Sequence, residues 1–156
     1  MALHRQSTTG MYCWHLTMYH IPLELINIEP DGFHVMFHAS VNGLKANTLI
    51  DTGASKTILD LSRSAYFLGD AEIKPFSKLF TGVGSNQIKT YISSIHTLVI
   101  GQREFSQLDV LLIDLAAINQ TYAIYDLPRI DMVLGGDLLV KMNAVIDYPG
   151  KKLIVP

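Results

Sequence analysis

The fold of this chain is indicated by seven consecutive residues, Leu49-Ile50-Asp51-Thr52-Gly53-Ala54-Ser55. Leu49 and Ile50 are typical of the end of a buried strand, and the small residues after Asp51 are typical of a turn. A carboxylate at the end of a buried strand is costly unless it is paired, hydrogen-bonded or functional. Gly53 has no Cβ, so another backbone or a ligand can approach it closely. The stretch therefore predicts a functional carboxylate, Asp51, in a turn of small residues.

A second informative stretch lies further along the chain and reads Met132-Val133-Leu134-Gly135-Gly136-Asp137-Leu138-Leu139. An apolar triplet and a glycine are followed there by residues that favour a short helix at 137–142. Together the two stretches resemble the active-site turn and the second signature of the retropepsin-like aspartic proteases. Residues 144–155 resemble the hairpin that usually follows the second signature. The chain is therefore identified as a member of that family.

This resemblance implies a mostly β fold. The expected architecture is a single-lobe, retropepsin-like closed β-barrel or sandwich with one or two short helices, active as a two-fold dimer. The protease domain is expected at residues 21–156, because β-like alternation begins at Ile21. Residues 1–20 show no clear period and are expected to be an N-terminal extension of uncertain order.

Alternation and turn signals predict the order of the elements. Strands are expected at 21–28, 33–41, 44–50, 57–60, 88–92, 94–100, 105–113 and 133–134, with a last pair within 143–155. Helical segments are expected at 61–68, 114–125 and 137–142, and Asn42-Gly43 is the strongest hairpin signal. In the second strand, alternation predicts a buried face and a solvated face. The predicted buried face carries Phe33, Val35, Phe37 and Ala39, and the predicted solvated face carries His34, Met36 and His38.

The resemblance also implies a role for each residue of the turn. Asp51 is expected to be the catalytic residue. The hydroxyl of Thr52 would reach across the two-fold axis and hold two such turns together, and the carbonyl of Gly53 would meet the substrate. Ala54 and Ser55 complete the supporting turn.

A flap over the cleft is expected where two glycines fall inside a probable hairpin, because glycine lowers the cost of bending a hairpin tip. The flap residues implied by the resemblance are Thr81, Gly82, Val83 and Gly84. The rival interpretation is a phosphate-binding loop. It is weak, because the stretch lacks a third glycine, a Lys-Ser/Thr pair and a following helix.

One feature of the viral members is missing. They carry an acidic residue just after Asp-Thr-Gly-Ala and an arginine after the glycine of the second signature, and these two residues pair. The corresponding positions here are Ser55 and Gly136, so both partners are absent together. Loss of both partners is much milder than loss of one, because no buried charge is left unpaired.

The number of suitable carboxylates predicts the assembly. Peptide hydrolysis by carboxylates alone needs two of them about 3 Å apart, one ionised to activate water and one protonated to polarise the carbonyl. Asp51 is the one aspartate of the chain in an Asp-Thr-Gly turn. The second carboxylate is therefore expected from Asp51 of another subunit on a two-fold axis. The predicted function is a homodimeric aspartic endopeptidase that acts on peptide or protein substrates without a cofactor.

Two other functions stay open. A peptide-binding or scaffold module with the same fold but no turnover fits the same motifs, because fold does not prove activity. A zinc hydrolase built on His34 and His38, which share one strand face, and on an acidic residue is the third possibility. The sequence has neither His-Glu-x-x-His nor paired-Cys spacing, so surface histidines and no metal site are expected.

Composition restricts the partners and the compartment. The net charge of −2 gives no electrostatic footprint for nucleic acid, and no apolar run approaches the ~20 residues that span a bilayer. The single cysteine, Cys13, cannot form an internal disulfide, and residues 1–20 lack the apolar stretch of a signal peptide, so a cytoplasmic location is expected. Hydrophobic residues make up 49% and charged residues only 17%, which favours a subunit that buries one face against a copy of itself.

Overall fold

The structure is a computed structural model that describes residues 18–29, 32–76 and 88–156. These residues form eleven strands, namely β1 (Tyr19–Pro22), β2 (Glu24–Glu29), β3 (Gly32–Val41), β4 (Leu44–Ile50), β5 (Ile58–Asp60), β6 (Lys74–Pro75), β7 (Tyr91–Ile100), β8 (Arg103–Ile113), β9 (Met132–Leu134), β10 (Val145–Asp147) and β11 (Lys152–Val155). They also form three short helices, α1 (Ser64–Leu68), α2 (Ala116–Ile124) and α3 (Gly136–Lys141), with a 3-10 turn at Leu61–Arg63. Among the described residues, no helix has the length and apolarity that a membrane crossing requires.

Six of the strands close into a barrel. Their order is β3-β4-β9-β5-β8-β7, and β7 returns to pair with β3 through Ser40 opposite Val99 and Val41 opposite Leu98. β2 extends the sheet beyond β3, and β6 extends it beyond β7. The expected mostly β, closed fold with short helices is confirmed.

β4 is one of the strands of this barrel, between β3 and β9, and it ends one residue before Asp51. It is antiparallel to β3 and parallel to β9, so both of its edges are hydrogen-bonded. The predicted hairpin at Asn42-Gly43 is confirmed, and both residues have the positive φ angles, 50° and 81°, that such a turn requires. The side chain of Asn42 adds two hydrogen bonds, to the carbonyl of Phe67 and from the N–H of Thr97. β4 therefore presents Asp51 from a fixed position.

The main core fills the barrel with aliphatic side chains. Val35, Phe37 and Ala39 of β3 point into it and are buried, as alternation predicts. Phe33, the first residue of the predicted buried face, is more than half exposed. The completely buried members come from strands all around the barrel, and they include Leu59, Ile95, Leu98, Ile100, Leu112, Met132 and Leu134. The core thus fixes β4, β5 and β9 relative to one another.

A second apolar cluster lies outside the main core. Its buried members are Met36, Leu115, Tyr122, Ile130 and Val133, and half-buried Ile26, Ile28, Leu49, Ala54, Ile58, Ile113 and Leu127 pack against them. The prediction of a solvated face for β3 is therefore wrong for Met36, which is only 3% exposed. The reason is tertiary, because the same cluster contains residues of α2 and of the chain on either side of it, and they cover this part of β3.

β1, β11 and β10 form a separate three-stranded sheet, in that order. β1 begins at Tyr19, opposite Val155, so this strand starts two residues before Ile21. The N–H of Leu23 donates to the carbonyl of Lys151, and the chain passes there from this sheet into the barrel. The single strand predicted at 21–28 is therefore two strands, β1 and β2, in different sheets.

Two other elements, β7 and α2, have boundaries that differ from the prediction. The sequence predicts two strands, at 88–92 and 94–100, with a break near Ser93. This prediction is wrong, because β7 is one continuous strand through Ser93. α2 is shorter than the predicted 114–125 helix. Asp114 lies just outside α2, where its Oδ1 accepts from the N–H of Ala116 at 2.8 Å and so helps to begin the helix.

Candidate active site

The turn after β4 holds Asp51 through backbone hydrogen bonds. The N–H of Asp51 donates to the carbonyl of Leu134 (3.1 Å), which continues the ladder between β4 and β9. The carbonyl of Asp51 accepts from the N–H of Ala54 (3.2 Å), and this bond closes the turn. The N–H of Gly53 donates to Oδ1 of Asp51 (2.8 Å), so one carboxylate oxygen is fixed within the turn.

The carboxylate remains accessible. Asp51, Thr52, Gly53 and Ser55 are exposed, whereas Ala54 is half-buried in the second apolar cluster. A Cβ on Gly53 would lie 3.2 Å from Oδ1 of Asp51, which is tighter than an ordinary van der Waals contact. Glycine at position 53 therefore allows its N–H to approach the carboxylate of Asp51 without a steric clash.

The second signature supports the turn from behind. The N–H of Gly136 donates to the carbonyl of Ala54 at 2.8 Å. Gly135 is packed against the backbone, because a Cβ there would lie 2.5 Å from the carbonyl carbon and oxygen of Lys56. The two stretches that suggested the family are thus in direct contact. At the positions where viral members carry an ion pair, this chain has an exposed Ser55 and the backbone hydrogen bond of Gly136.

Thr57 and Asp137 lock this contact. Oδ1 of Asp137 accepts from the N–H of Thr57 (2.9 Å) and from its hydroxyl (2.8 Å), and also from the N–H of Leu138 (2.9 Å). The hydroxyl oxygen of Thr57 in turn accepts from the N–H of Gly135 (3.2 Å). Thr57 is buried, and Asp137 lies in the first turn of α3, where a negative charge is favoured. Sequence reasoning missed Thr57, although a small hydroxyl residue beside a glycine-rich turn is a signal for such a bond.

Two further aspartates are buried next to the turn's framework. Asp60, at the end of β5, is completely buried and accepts hydrogen bonds from Arg129 (2.6 Å), from the hydroxyl of Ser62 (2.8 Å) and from the N–H of Leu115 (3.2 Å). Burial alone raises the pKa of Asp60, but the hydrogen bonds from Arg129, Ser62 and the two backbone N–H groups outweigh it and lower the pKa below its ordinary value.

Asp131 sits beside Asp60 at the start of β9. It accepts from the N–H of Asn47 (3.0 Å) and from Nε of Arg63 (3.2 Å), and Nε of Arg129 lies 4.0 Å away. The N–H of Asp60 donates to the carbonyl of Asp131 (2.9 Å). The two aspartates and two arginines tie the starts of β9 and the end of β5 together. Their carboxylates are committed to holding the strands, not to the turn at Asp51.

The remaining predicted site residues are those of the flap and the two histidines of the zinc alternative. The expected flap residues Thr81, Gly82, Val83 and Gly84 lie outside the described residues. Among the residues that the structure describes, no three His, Cys, Asp or Glu side chains come together as a metal-binding group. Nδ1 of His34 is hydrogen-bonded to the hydroxyl of Tyr122, and Nε2 of His38 lies 3.6 Å from a carboxylate oxygen of Glu24. The two histidines therefore have separate partners.

The family model described as "Aspartyl protease" matches residues 37–138 of the chain, which include both the turn at Asp51 and the glycines of the second signature. The chain belongs to the aspartyl protease family. The match covers β4, β5 and β9 and the first part of α3, which are the elements that build this turn. The retropepsin-like resemblance of the two motifs is thereby confirmed.

Solved structures of aspartyl proteases share the fold. The chain is similar to a retropepsin-like aspartic protease from Rickettsia conorii, with 26% identity, a TM-score of 0.56, and 88% of this chain and 89% of that one covered. It is also similar in fold to the EIAV protease complexed with the inhibitor HBY-793, with 19% identity, a TM-score of 0.54, and 79% and 100% covered. The comparison with curated protein sequences gave no match.

Proposed function

We propose that this protein is an aspartic endopeptidase that hydrolyses peptide bonds as a homodimer, with one Asp51 from each subunit. The observation that carries the proposal is an exposed carboxylate, fixed through Oδ1 to the N–H of Gly53, at the end of a strand that both neighbours hold in place. A fixed and accessible carboxylate is what general acid–base catalysis requires.

The second carboxylate has to come from outside the subunit. Among the described residues, the aspartates close to the strands and the helix that support the turn already have other hydrogen-bond partners. Asp60 and Asp131 are paired with arginines, and Asp137 is bonded to Thr57. A two-fold axis beside the exposed turn would bring two copies of Asp51 together, and both would face the same substrate.

The reaction then follows from one shared proton. The ionised carboxylate takes a proton from a water as that water attacks the peptide carbonyl carbon, and the protonated carboxylate gives its proton to the carbonyl oxygen. One hydroxyl proton of the resulting diol returns to the carboxylate that is now ionised. The carboxyl group that took the proton from water gives it to the amide nitrogen, and the C–N bond breaks. The pair ends with one proton, as it began, so no cofactor is consumed.

The terminal sheet supports a dimer. β10 has β11 on one side and, among the described residues, no strand on the other. Val145 of this edge strand is 57% exposed, and Val140 and Tyr148, within five residues of it in the sequence, are also exposed. An open edge beside apolar side chains is a surface that proteins normally cover, and pairing with a second β10 would cover it.

Cleavage of an unfolded protein by the purified dimer tests the proposal. The Asp51→Asn variant should lose cleavage, because an amide cannot act as the base. The matched control is Asp70→Asn, the same change at an exposed site that should leave cleavage unchanged. An Asp51→Asn variant that still cleaves would remove Asp51 from the mechanism. A stable wild-type dimer that binds unfolded protein without cleaving it would instead establish a binding or scaffold module.

Two coarser proposals accompany this one. The cytoplasm is proposed as the location, because Cys13 is the single cysteine and leaves no internal disulfide that would need an oxidising compartment. The protease domain is proposed to occupy residues 21–156 with residues 1–20 as an extension. Since β1 begins at Tyr19, a truncation that tests this boundary should retain Tyr19 and His20.

A further inference from the structure

We propose that Lys56 selects acidic peptides as substrates, because its ammonium group pairs with an aspartate or glutamate about three residues from the scissile bond. This inference rests on the proposed function, since it places Lys56 beside the cleft that two copies of Asp51 would form. Lys56 is exposed and lies five residues after Asp51. Its ammonium group has no ion-pair or hydrogen-bond partner among the residues that the structure describes.

Strand register places Lys56 at the same edge of the sheet as Asp51. β4 is parallel to β9 and ends with Ile50 opposite Leu134, the last residue of β9. β5 begins at Ile58 and is antiparallel to β9, so its first residue also meets the end of β9. Asp51 directly follows β4, and Lys56 lies two residues before β5. The two residues therefore lie at one edge of the sheet, on opposite sides of β9.

The spacing of strands gives the distance between the two residues. Neighbouring strands lie about 4.8 Å apart, so β4 and β5, with β9 between them, are about 10 Å apart. An extended peptide advances about 3.3 Å per residue. A peptide with its scissile bond at Asp51 that crosses the end of β9 would therefore reach Lys56 with a side chain about three residues away. Both groups are exposed and lie more than the Debye length of ~8 Å apart, so Lys56 acts on the bound peptide and is largely screened from Asp51.

Two contacts hold the backbone at Lys56. A Cβ on Gly135 would lie 2.5 Å from the carbonyl carbon and oxygen of Lys56, so these two backbone segments are in close contact. The next residue, Thr57, is buried and donates its N–H to Asp137 at 2.9 Å. Because the backbone is already fixed, only the side chain of Lys56 has to be ordered when a peptide binds, which lowers the entropic cost of the pairing.

The unpaired charge determines which peptide side chain is favoured. Lys74 is compensated by Glu72, whose carboxylate oxygen lies 2.9 Å from its Nζ. Lys56 has no such partner among the described residues, so an acidic side chain of the peptide can pair with it without displacing another carboxylate. A basic side chain would meet repulsion at the same place. A two-fold axis would put one Lys56 in each half of the cleft, so acidic residues should be favoured on both sides of the scissile bond.

Charge variants of Lys56 test this role on short peptides that share one cut site. Each peptide carries Glu, Gln or Lys at one position, and the readout is the ratio of kcat/KM for the Glu peptide to that for the Gln peptide. In the wild type this ratio should be about three to five at the favoured positions, as for an exposed ion pair, and should fall toward one in high salt. Lys56→Met should bring the ratio to about one, and Lys56→Arg should keep it. Lys56→Glu should reverse the preference, so that the Lys peptide is cut faster than the Glu peptide.

Lys45→Glu is the matched control. Lys45 is also exposed, but it lies six residues before Asp51 along the extended β4, about 20 Å away. The variant makes the same change in net charge as Lys56→Glu and should keep the wild-type ratio. In Lys56→Met the lost preference should appear in KM and not in kcat, because the ion pair forms equally with the bound substrate and with the transition state.

A second readout does not need turnover. Binding of the same peptides to the Asp51→Asn protein is measured by calorimetry. The Glu peptide should bind about three to five times more tightly than the Gln peptide, and adding Lys56→Met should remove this difference.

The outcomes separate the two proposals. Cleavage by the wild type with the same Glu-to-Gln ratio in Lys56→Met and Lys56→Glu would overturn the role of Lys56 and leave the protease intact. A change in Lys45→Glu as large as that in Lys56→Glu would also overturn it, because net charge alone would then explain the preference. Binding that favours the Glu peptide and depends on Lys56, without any cleavage, would overturn the protease and support Lys56 as a peptide-binding residue. Neither peptide binding nor cleavage would overturn both.

Discussion

Gly135 should be the residue of the second signature that tolerates substitution least. In Gly135→Ala the new Cβ would lie 2.5 Å from the carbonyl carbon and oxygen of Lys56 and 2.9 Å from the N of Thr57. These are backbone atoms, so no side chain can turn aside to make room. Gly136 is the matched control, because its Cβ would lie 3.5 Å from the nearest atom, the carbonyl oxygen of Ala54, which is an ordinary contact.

The magnitude follows from the shift that the clash demands. Overpacking of this kind costs about 1–3 kcal/mol. A displacement of about 1 Å would also weaken the two hydrogen bonds of the Thr57 hydroxyl, one from the N–H of Gly135 and one to Asp137, at about 1 kcal/mol each. We therefore expect Gly135→Ala to lower the free energy of unfolding by about 3–5 kcal/mol in total. Gly136→Ala should change it by less than about 1 kcal/mol, with a small gain possible, because Gly136 begins a helix.

Thermal and urea unfolding of the two variants beside the wild type measure this difference. For a chain of this size, 3–5 kcal/mol corresponds to a drop in Tm of about 6–20 °C. At a temperature where every variant is folded, kcat of Gly135→Ala should fall at least about tenfold, since the Lys56–Thr57 backbone continues the turn of Asp51. Equal stability and equal turnover of the two alanine variants would refute the proposed contact between the second signature and the turn.

Two further predictions concern the dimer and the buried aspartate. Val145→Lys should raise the dimer dissociation constant, measured by sedimentation, at least about tenfold, because it places a charge on the open edge of β10. Ile124→Lys, a charge at another exposed position, is the control. A dissociation constant that Val145→Lys leaves unchanged would show that the dimer interface does not include β10. The lowered pKa of Asp60 means that its contribution to stability is present above the unfolded-state value of about 4 and is lost as pH falls through the folded value. In urea unfolding, Asp60→Asn should therefore have a lower free energy of unfolding than the wild type at neutral pH. The difference between the two proteins should become smaller below pH ~4. A difference that stays constant with pH would contradict the pairing of Asp60 with Arg129.

The features predicted well from sequence are local ones. The hairpin at Asn42-Gly43 needs two left-handed residues in succession, and these residue types supply them. The strand ending at Ile50 and the small-residue turn after it are also properties of adjacent residues. Because the prediction of β4 was correct, the position of Asp51 at its end followed directly.

The features that sequence did not predict depend on partners far along the chain. Thr57 is bonded to Asp137, 80 residues away, and Asp60 is bonded to Arg129, 69 residues away. Alternation predicts a solvated position for Met36, but α2, more than 75 residues later, belongs to the cluster that buries it. The break at Leu23 likewise depends on its hydrogen bond with Lys151. A periodic pattern reports which face a side chain takes, but not which later segment covers that face.

The central proposal, that one active site uses Asp51 from two subunits, is tested most directly by mixing subunits. A fixed amount of wild type is combined with an increasing excess of Asp51→Asn protein, subunit exchange is verified by native mass spectrometry, and cleavage per wild-type subunit is measured. If each site needs both copies of Asp51, mixed dimers are inactive, and the activity should fall to about a tenth at a roughly ninefold excess. Activity per wild-type subunit that stays constant while mixed dimers form would contradict the shared site.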